Sequence, residues 1–359
     1  MNKIIMKDVG DALNMYLQES DGSMLMVDFG IGRGKNFSEI FNCGCCSYPL
    51  NFCIEHKIDA FLLSHFHLDH YNGFKEICPL YIFPLKDVFF PRIPENMPYY
   101  TEFKIMLLTD WIIRGNNLFV EILHQILKHS NKNVNIHLVS QGDVFLHNGH
   151  AYEVLWPPKQ FDATQKELTN SVKEAISKFD KVKMGNPQFK ELYDKLCVLN
   201  LDVNEDNGKL YYDKESFSEL EKLVNEYREE QSKSITDTDN YKEFNKSLRE
   251  AANRLSIAFR QEDNVLFLGD LESHELKIVA GNLENKNQLF YDFLVAAHHG
   301  THWNRALSKI ECENCLVSVG ETLISDVSIE YKTIATKFYM TSLMGDIILC
   351  KKGPCICSN

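Results

Sequence analysis

The sequence has no uninterrupted apolar run of membrane-spanning length, and its opening stretch, MNKIIMKDVGDALNMYLQ, lacks the apolar segment and small-residue cleavage site of a secretory leader. These absences lead us to expect a soluble, cytoplasmic protein with no membrane partner. A lysine- or arginine-rich tract is absent too. The chain carries 38 basic against 50 acidic residues, a formal net charge of −12, so it offers no broad basic surface for nucleic acid and a polyanionic substrate would need local cations. No repeat of roughly 20 to 50 residues recurs, which disfavours a solenoid. The cysteines number eleven, an odd count in a long chain, and favour mostly reduced thiols. Two C-x-x-C pairs, Cys43/Cys46 and Cys312/Cys315, could share a structural zinc only if folding brings them together.

What is present is a chain of 359 residues, 44% hydrophobic, which can bury a full core and is not disordered. Residues 11–30 read as two strands around Ser20-Asp21-Gly22, and DAFLLS (59–64) as a short buried strand followed by a helix from Tyr71. The apolar stretch 99–130 is helix-like. Strands return at 134–140 and at 151–156, where Pro157-Pro158 ends the pattern. Residues 159–252 then change in character to charged, amphipathic helices. Between 160 and 250 stand 15 Lys and Arg against 20 Asp and Glu, so this segment holds five of the twelve net negative charges and reads as an insertion. Strands resume at 255–260, 264–268, 292–297, 315–319 and 346–350.

The chemistry concentrates at LLSHFHLDHYNGF, residues 62–74, where His65, His67, Asp69 and His70 fall within six positions behind an apolar run. In an extended loop, residues 65 and 67 project to the same side and can grip one metal ion, while Asp69 and His70 reach a second. VLFLGDLE places Asp270 beyond a buried strand, where a carboxylate can bridge two cations. FLVAAHHGTHWN brings His298, His299 and His302 out of another strand end.

On these residues the sequence resembles the metallo-β-lactamase fold superfamily, whose H-x-H-x-D-H loop is matched by His65, His67, Asp69 and His70. Within that superfamily it is most similar to the hydrolase domain of competence-type DNA-uptake proteins and their free-standing relatives. DVGDALNMYLQESDGSMLMVDFG, SHFHLDHYNGF, VLWPP, NRLSIAFRQEDNVLFLGDLE and DFLVAAHHGTHWN carry the resemblance in the family's order, over about residues 8–158 and 253–349. Three departures stand out. His67 occupies a position where the competence-type loop commonly has aspartate. The superfamily's mid-chain histidine has no counterpart in the settings of His124, His129, His137, His147 or His150. Beyond the last site strand the chain reads GETLISD, where relatives often place a histidine.

The resemblance implies an α/β fold, the four-layer αβ/βα sandwich, formed by residues 1–158 and 253–359 with 159–252 as a helical insertion. It implies two divalent metal ions, zinc first and manganese as the alternative, held by His65, His67, Asp69, His70, Asp270 and His298 or His299. Asp28, at the end of LMVD, would support the histidine loop. Neighbouring residues at a strand end face opposite ways, so one of His298 and His299 is expected to be a ligand and the other to face substrate. That second residue, or His302, would protonate the leaving group. Asp69, Asp270 and His302 are thus the candidate catalytic residues.

Three function classes follow: a phosphodiesterase or nuclease using metal-activated hydroxide on nucleic acid or a small phosphoester; a hydrolase of a lactam, lactone, thioester or peptide bond; and a regulatory module whose segment 159–252 binds a protein partner or a second copy.

Overall fold

In the computed structural model, which describes residues 3–35, 58–76, 85–113, 134–199, 204–206, 209–211, 214–226, 235–262 and 264–351, the chain divides into two units. The first comprises Met1–Arg92, Gln125–Lys159 and Asn253–Asn359, and the second Ile93–His124 and Gln160–Ala252. The helical unit therefore draws on 93–124 as well as on the inserted segment.

Among the described residues the first unit is built on fourteen strands: β1 (Lys3–Met6), β2 (Asn14–Gln18), β3 (Met24–Phe29), β4 (Ile58–Leu62), β5 (Asp87–Pro91), β6 (Asn135–Val139), β7 (Val144–His147), β8 (His150–Trp156), then β11 (Ala258–Gln261), β12 (Val265–Phe267), β13 (Phe290–Val295), β14 (Glu311–Val317), β15 (Ala335–Met340) and β16 (Ile347–Cys350). They form two seven-stranded sheets, ordered β16-β1-β2-β3-β4-β5-β6 and β15-β14-β13-β12-β11-β8-β7. In the first sheet the pairs from β16 to β3 are antiparallel and those from β3 to β6 parallel. The second repeats the mixture, parallel from β15 to β12 and antiparallel from β12 to β7.

Local chemistry explains the first hairpin. Asp21 accepts hydrogen bonds from both the backbone N–H and the hydroxyl of Ser23, and Gly22 takes φ +83°, so the turn expected at 20–22 closes β2 onto β3. All six residues of β3 are buried, as a strand packed on both faces requires. Its Leu25 and Val27, with Leu62 of β4, share a core with Phe259, Phe267 and Val295 of the other sheet. The outer face of the second sheet is covered by the helix Ser273–Asn285, whose Leu276, Val279, Ala280 and Leu283 pack on Leu266 and Leu294. The architecture is an α/β sandwich of two mixed sheets, as the sequence implies.

Three sequence expectations need adjustment. The segment beyond Tyr71 is a 3₁₀ turn, Asn72–Glu76, rather than an α-helix. It lies so close to β3 that a Cβ on Gly73 would stand 2.6 Å from the Phe29 carbonyl oxygen. The helix within 99–130 is described as Tyr100–Ile113, and the remainder lies outside the described residues. Among the thiols, Cys312 and Cys315 are free and buried on β14, Cys350 is disulfide-bonded, and Cys43 and Cys46 lie outside the described residues.

The second unit is helical, with Tyr100–Ile113, Lys166–Gly185, Pro187–Cys197, Lys214–Glu226 and Asp239–Asn253, and a short hairpin of β9 (Asn204–Asp206) and β10 (Lys209–Tyr211). Leu168, Val172, Ala175, Phe179 and Val182 form one buried face at helical spacing. Asn186 caps the next helix by accepting from Phe189 N–H, with Pro187 at its first position. Phe179 meets the rings of Phe189 and Phe244 at 5.0 and 5.1 Å. No helix among the described residues is long and apolar enough to cross a membrane.

Candidate metal centre

The parallel neighbours β3 and β4 of one sheet and β12 and β13 of the other all deliver polar residues just beyond their carboxyl ends, the edge where open α/β sheets bind ligands. Asp28 is the last residue but one of β3, and the histidine loop follows β4, its 3₁₀ turn Leu68–His70 turning His70 inward. Asp270 follows β12, and His298 and His299 follow β13. The backbone at these ends is left-handed at Asp28 (φ +56°), His298 (+48°), His299 (+57°) and the glycines 269 and 300. Non-glycine residues in this region cost about 1–3 kcal/mol each and gather at functional sites. Gly269 has a second reason to be glycine, since a Cβ there would stand 2.6 Å from the Ile257 carbonyl oxygen.

The side chains converge on one oxygen. Asp270 Oδ2 lies 3.3 Å from His70 Nε2, 3.6 Å from His65 Nε2, 3.7 Å from His298 Nε2 and 4.0 Å from His299 Nε2. Asp69 Oδ2 lies 3.8 Å from His299 Nε2 and 3.9 Å from His70 Nε2. His67 Nδ1 is 2.8 Å from His65 Nε2. Two groups of donors are close enough to hold an ion each: His65, His70 and Asp270, and Asp69, His70 and His299. His302 Nε2 sits 2.7 Å from His298 Nδ1.

Hydrogen bonds on the far side of each ring fix which nitrogen faces inward. His70 Nδ1 donates to Asp28 Oδ2 at 2.7 Å. The Ser64 hydroxyl donates to the same oxygen at 2.6 Å and so presents a lone pair to His65 Nδ1 at 3.0 Å. His299 Nδ1 donates to the Ser318 carbonyl at 2.9 Å. These three rings therefore turn Nε2 toward Asp270. Asp28 organises two of them, directly and through Ser64, whose backbone N–H it also binds at 2.7 Å.

Burial works to raise Asp270, but His70, His65 and His298 outweigh it and hold the carboxyl well below the usual range. Burial likewise opposes the lowering of Asp69, overcome by His299, His70 and His67. Burial pushes His65 well below an ordinary histidine and His298 down to about 4. Burial works to lower His70 and His299 too, but Asp270 and Asp28 push His70 well above an ordinary histidine, and Asp69 and Asp270 raise His299. Two carboxylates are thus packed among imidazoles, a donor set suited to divalent cations. His70 Nε2, His299 Nε2 and Asp270 Oδ2 are all buried without a well-aligned hydrogen-bond partner, whereas buried polar atoms are ordinarily satisfied. A cation between them would supply the partner that all three lack.

The structure brings together every residue the sequence singled out for the centre, and it answers a point the sequence left open. His298 and His299 were expected to face opposite ways, one as ligand and one toward substrate. Both turn Nε2 toward Asp270, because both are left-handed rather than extended, and strand alternation does not apply. The mid-chain histidines that are described stand elsewhere, each beside a carboxylate: His137 with Asp87, His147 with Asp59, His150 with Glu19. Sequence reasoning missed Ser64, whose only signal was adjacency to His65, and the Ser318 carbonyl, which had none.

Fold and site together define a class: an α/β sandwich of two mixed sheets with a histidine and aspartate centre where strands of both sheets end. No protein-family model matches the chain, and no curated protein matches it. Among solved structures it is similar to the metallo-β-lactamase fold protein YhfI from Bacillus subtilis, 9% identical, over 98% of this chain and 100% of that one at TM-score 0.39. It is similar to a diphosphatase of the PhnP family, 11% identical over 97% of each chain at TM-score 0.39. A long-form RNase Z from yeast is 12% identical over 96% of this chain and 41% of that one, at TM-score 0.31.

Proposed function

We propose that this protein is a metal-dependent hydrolase with two divalent ions, acting on a phosphodiester. The observation that carries the reading is the convergence of buried, unsatisfied donor atoms, His70 Nε2, His299 Nε2 and Asp270 Oδ2, into two adjoining ligand groups that share His70. His65, His70 and Asp270 would hold one ion and Asp69, His70 and His299 the other, with His67 beside His65 and His298 beside Asp270 as further donors to the first. Such ions supply activated water near neutral pH and polarise the scissile group. The chain's own contribution is to keep Asp69 and Asp270 ionised, to hold His65 and His298 neutral, to aim the rings through Asp28, Ser64 and the Ser318 carbonyl, and to leave an approach. Asp69, His298 and His302 are partly exposed, whereas His65, His70 and Asp28 are sealed.

The choice of a phosphodiester rests on the resemblance of the H-x-H-x-D-H and His-His-Gly stretches to competence-type hydrolase domains. The net charge of −12 favours a short or single-stranded substrate over a long duplex, since phosphate neutralisation supplies most non-specific affinity. The test is metal analysis of the purified protein coupled to turnover of single-stranded DNA, duplex DNA, RNA, bis-p-nitrophenyl phosphate and a chromogenic lactam. Phosphodiester turnover that disappears on chelation and returns with zinc or manganese is expected. Turnover of the lactam alone would overturn the substrate class, and full activity in a metal-free preparation would overturn the metallohydrolase reading.

A further inference from the structure

The loop that carries His298 and His299 also carries His302, and the hydrogen bonds around these rings are not interchangeable. His302 Nδ1 lies 3.2 Å from the Leu271 carbonyl oxygen, which can only accept, so this nitrogen bears a proton, and when the ring is neutral the other nitrogen does not. Its Nε2 is then an acceptor, and the atom 2.7 Å away, His298 Nδ1, must donate. Thr301 makes the same demand. Its hydroxyl donates to the His298 carbonyl at 2.7 Å, which leaves a lone pair facing His298 Nδ1 at 3.4 Å. Two independent neighbours therefore place the proton of His298 on Nδ1 and leave its Nε2 lone pair on the side of Asp270 Oδ2. Behind His302 stands a carboxylate, Glu272, with Oε2 3.5 Å from Nδ1, and its other oxygen accepts from Asn253 Nδ2 at 3.2 Å.

We propose that His302 is a positioning residue which fixes His298 in the Nδ1–H form and aims its Nε2 at the cation beside Asp270, rather than the proton donor to the leaving group. This rests on the metallohydrolase reading given above. Both ring nitrogens of His302 are engaged, Nδ1 with the Leu271 carbonyl and Nε2 with His298, so neither faces the place of a leaving group without releasing the partner it steadies. The arrangement matches the outer hydrogen bonds that set ligand orientation at metal centres, with Glu272 and Leu271 holding the holder. It also gives the second sheet an oriented imidazole beside Asp270.

The test begins with the unmodified, metal-free protein labelled with ¹⁵N-histidine at mildly alkaline pH, where long-range ¹H–¹⁵N correlations report which nitrogen bears the proton. His298 should be protonated at Nδ1, with its signals identified by their loss in His298→Gln. His302→Ala should shift His298 toward a mixture of tautomers and weaken one of two zinc equivalents about 10- to 100-fold in competition titrations. His302→Gln, whose side chain both accepts and donates, should recover most of that loss. Turnover of His302→Ala at saturating zinc should fall by the same factor for nitrophenyl and alkyl leaving groups. Nε2 protonation of His298 in the unmodified protein overturns the proposal, as does a His302→Ala variant that keeps both zinc affinities while its rate loss grows with the basicity of the leaving group. A wild-type protein that takes up no zinc or manganese overturns the hydrolase reading instead, and the tautomer measurement still decides the role of His302 toward His298.

Discussion

Gly30 offers the sharpest perturbation of the centre that leaves every donor in place. It follows β3, its N–H donates to the Leu13 carbonyl at 2.8 Å, and the Leu13 N–H donates in turn to the Asp69 carbonyl at 3.3 Å. A Cβ built on Gly30 would stand 1.6 Å from the Asp69 carbonyl oxygen and 2.6 Å from its carbonyl carbon. Carbon and oxygen rest against each other at about 3.3 Å, so in Gly30→Ala either the Asp69 peptide or the end of β3 must retreat by roughly 1.7 Å. Metal–ligand distances tolerate only about 0.2 Å. The variant should therefore lose the ion held by Asp69, His70 and His299 while the His65 side of the centre suffers less. Overpacking of this kind costs about 1–3 kcal/mol, a fall in Tm of roughly 2–12 °C for a domain of this size. Metal content by elemental analysis and thermal melts of the same preparations provide the assay, with Gly185→Ala, where a Cβ meets nothing within 4 Å, as the control. Two full metal equivalents with wild-type affinity and Tm in Gly30→Ala would refute the reasoning.

Asp28→Asn leaves one acceptor oxygen where Ser64 N–H, the Ser64 hydroxyl and His70 Nδ1 all donate, and zinc affinity should fall about 10- to 100-fold, read by competition with a chromogenic chelator. Gly281→Ala, in the middle of the helix Ser273–Asn285 with nothing within 4 Å of the new methyl group, should stabilise the protein by about 0.5–1 kcal/mol in denaturant titrations; destabilisation would mean the helix is not set as described. The His137 hydrogen bond lowers the Asp87 carboxyl. A group depressed in the folded state contributes stability above its unfolded value of about 3.9 and loses it as pH falls through the folded one, so the gap in Tm between wild type and Asp87→Asn should be open at pH ~6 and close toward pH ~3. A gap that widens in acid would contradict this sign.

The sequence exposed what depends on burial and on ligand chemistry. Strands such as β3 and β4 announce themselves because both faces are covered and the run is apolar throughout. Edge and near-edge strands do not. On β7, Val144 and Leu146 are 59% and 69% exposed while their neighbours are buried, so apolar residues occupy both faces and erase the period of two. β15, half-exposed at the border of the second sheet, hides for the same reason. At the centre, the residue types were legible because few other pressures place three histidines and an aspartate in six positions. The directions of the rings were not legible, because backbone carbonyls distant in sequence, Ser318 and Leu271, set them, and a carbonyl carries no residue identity to read.

The failed expectation of alternating faces at His298 and His299 leads to a test of why the centre is built as it is. Both rings reach Asp270 only because their backbones are left-handed, a conformation that costs a residue with a Cβ about 1–2 kcal/mol and glycine almost nothing. If the surrounding structure imposes that conformation, the strain persists whatever side chain is present. Comparing His298→Gly with His298→Ala isolates it, since both delete the imidazole and its bond to His302. At an ordinary position alanine wins, because glycine gives up about 0.5–1 kcal/mol of chain entropy. At φ +48° the order should reverse, with the glycine variant more stable by about 0.5–1 kcal/mol in denaturant titrations of metal-free protein, and both should bind one metal equivalent weakly. Alanine equal to or better than glycine would show that the loop relaxes once the imidazole is gone. The left-handed backbone would then be a consequence of the His298–His302 pairing rather than the frame that aims both rings.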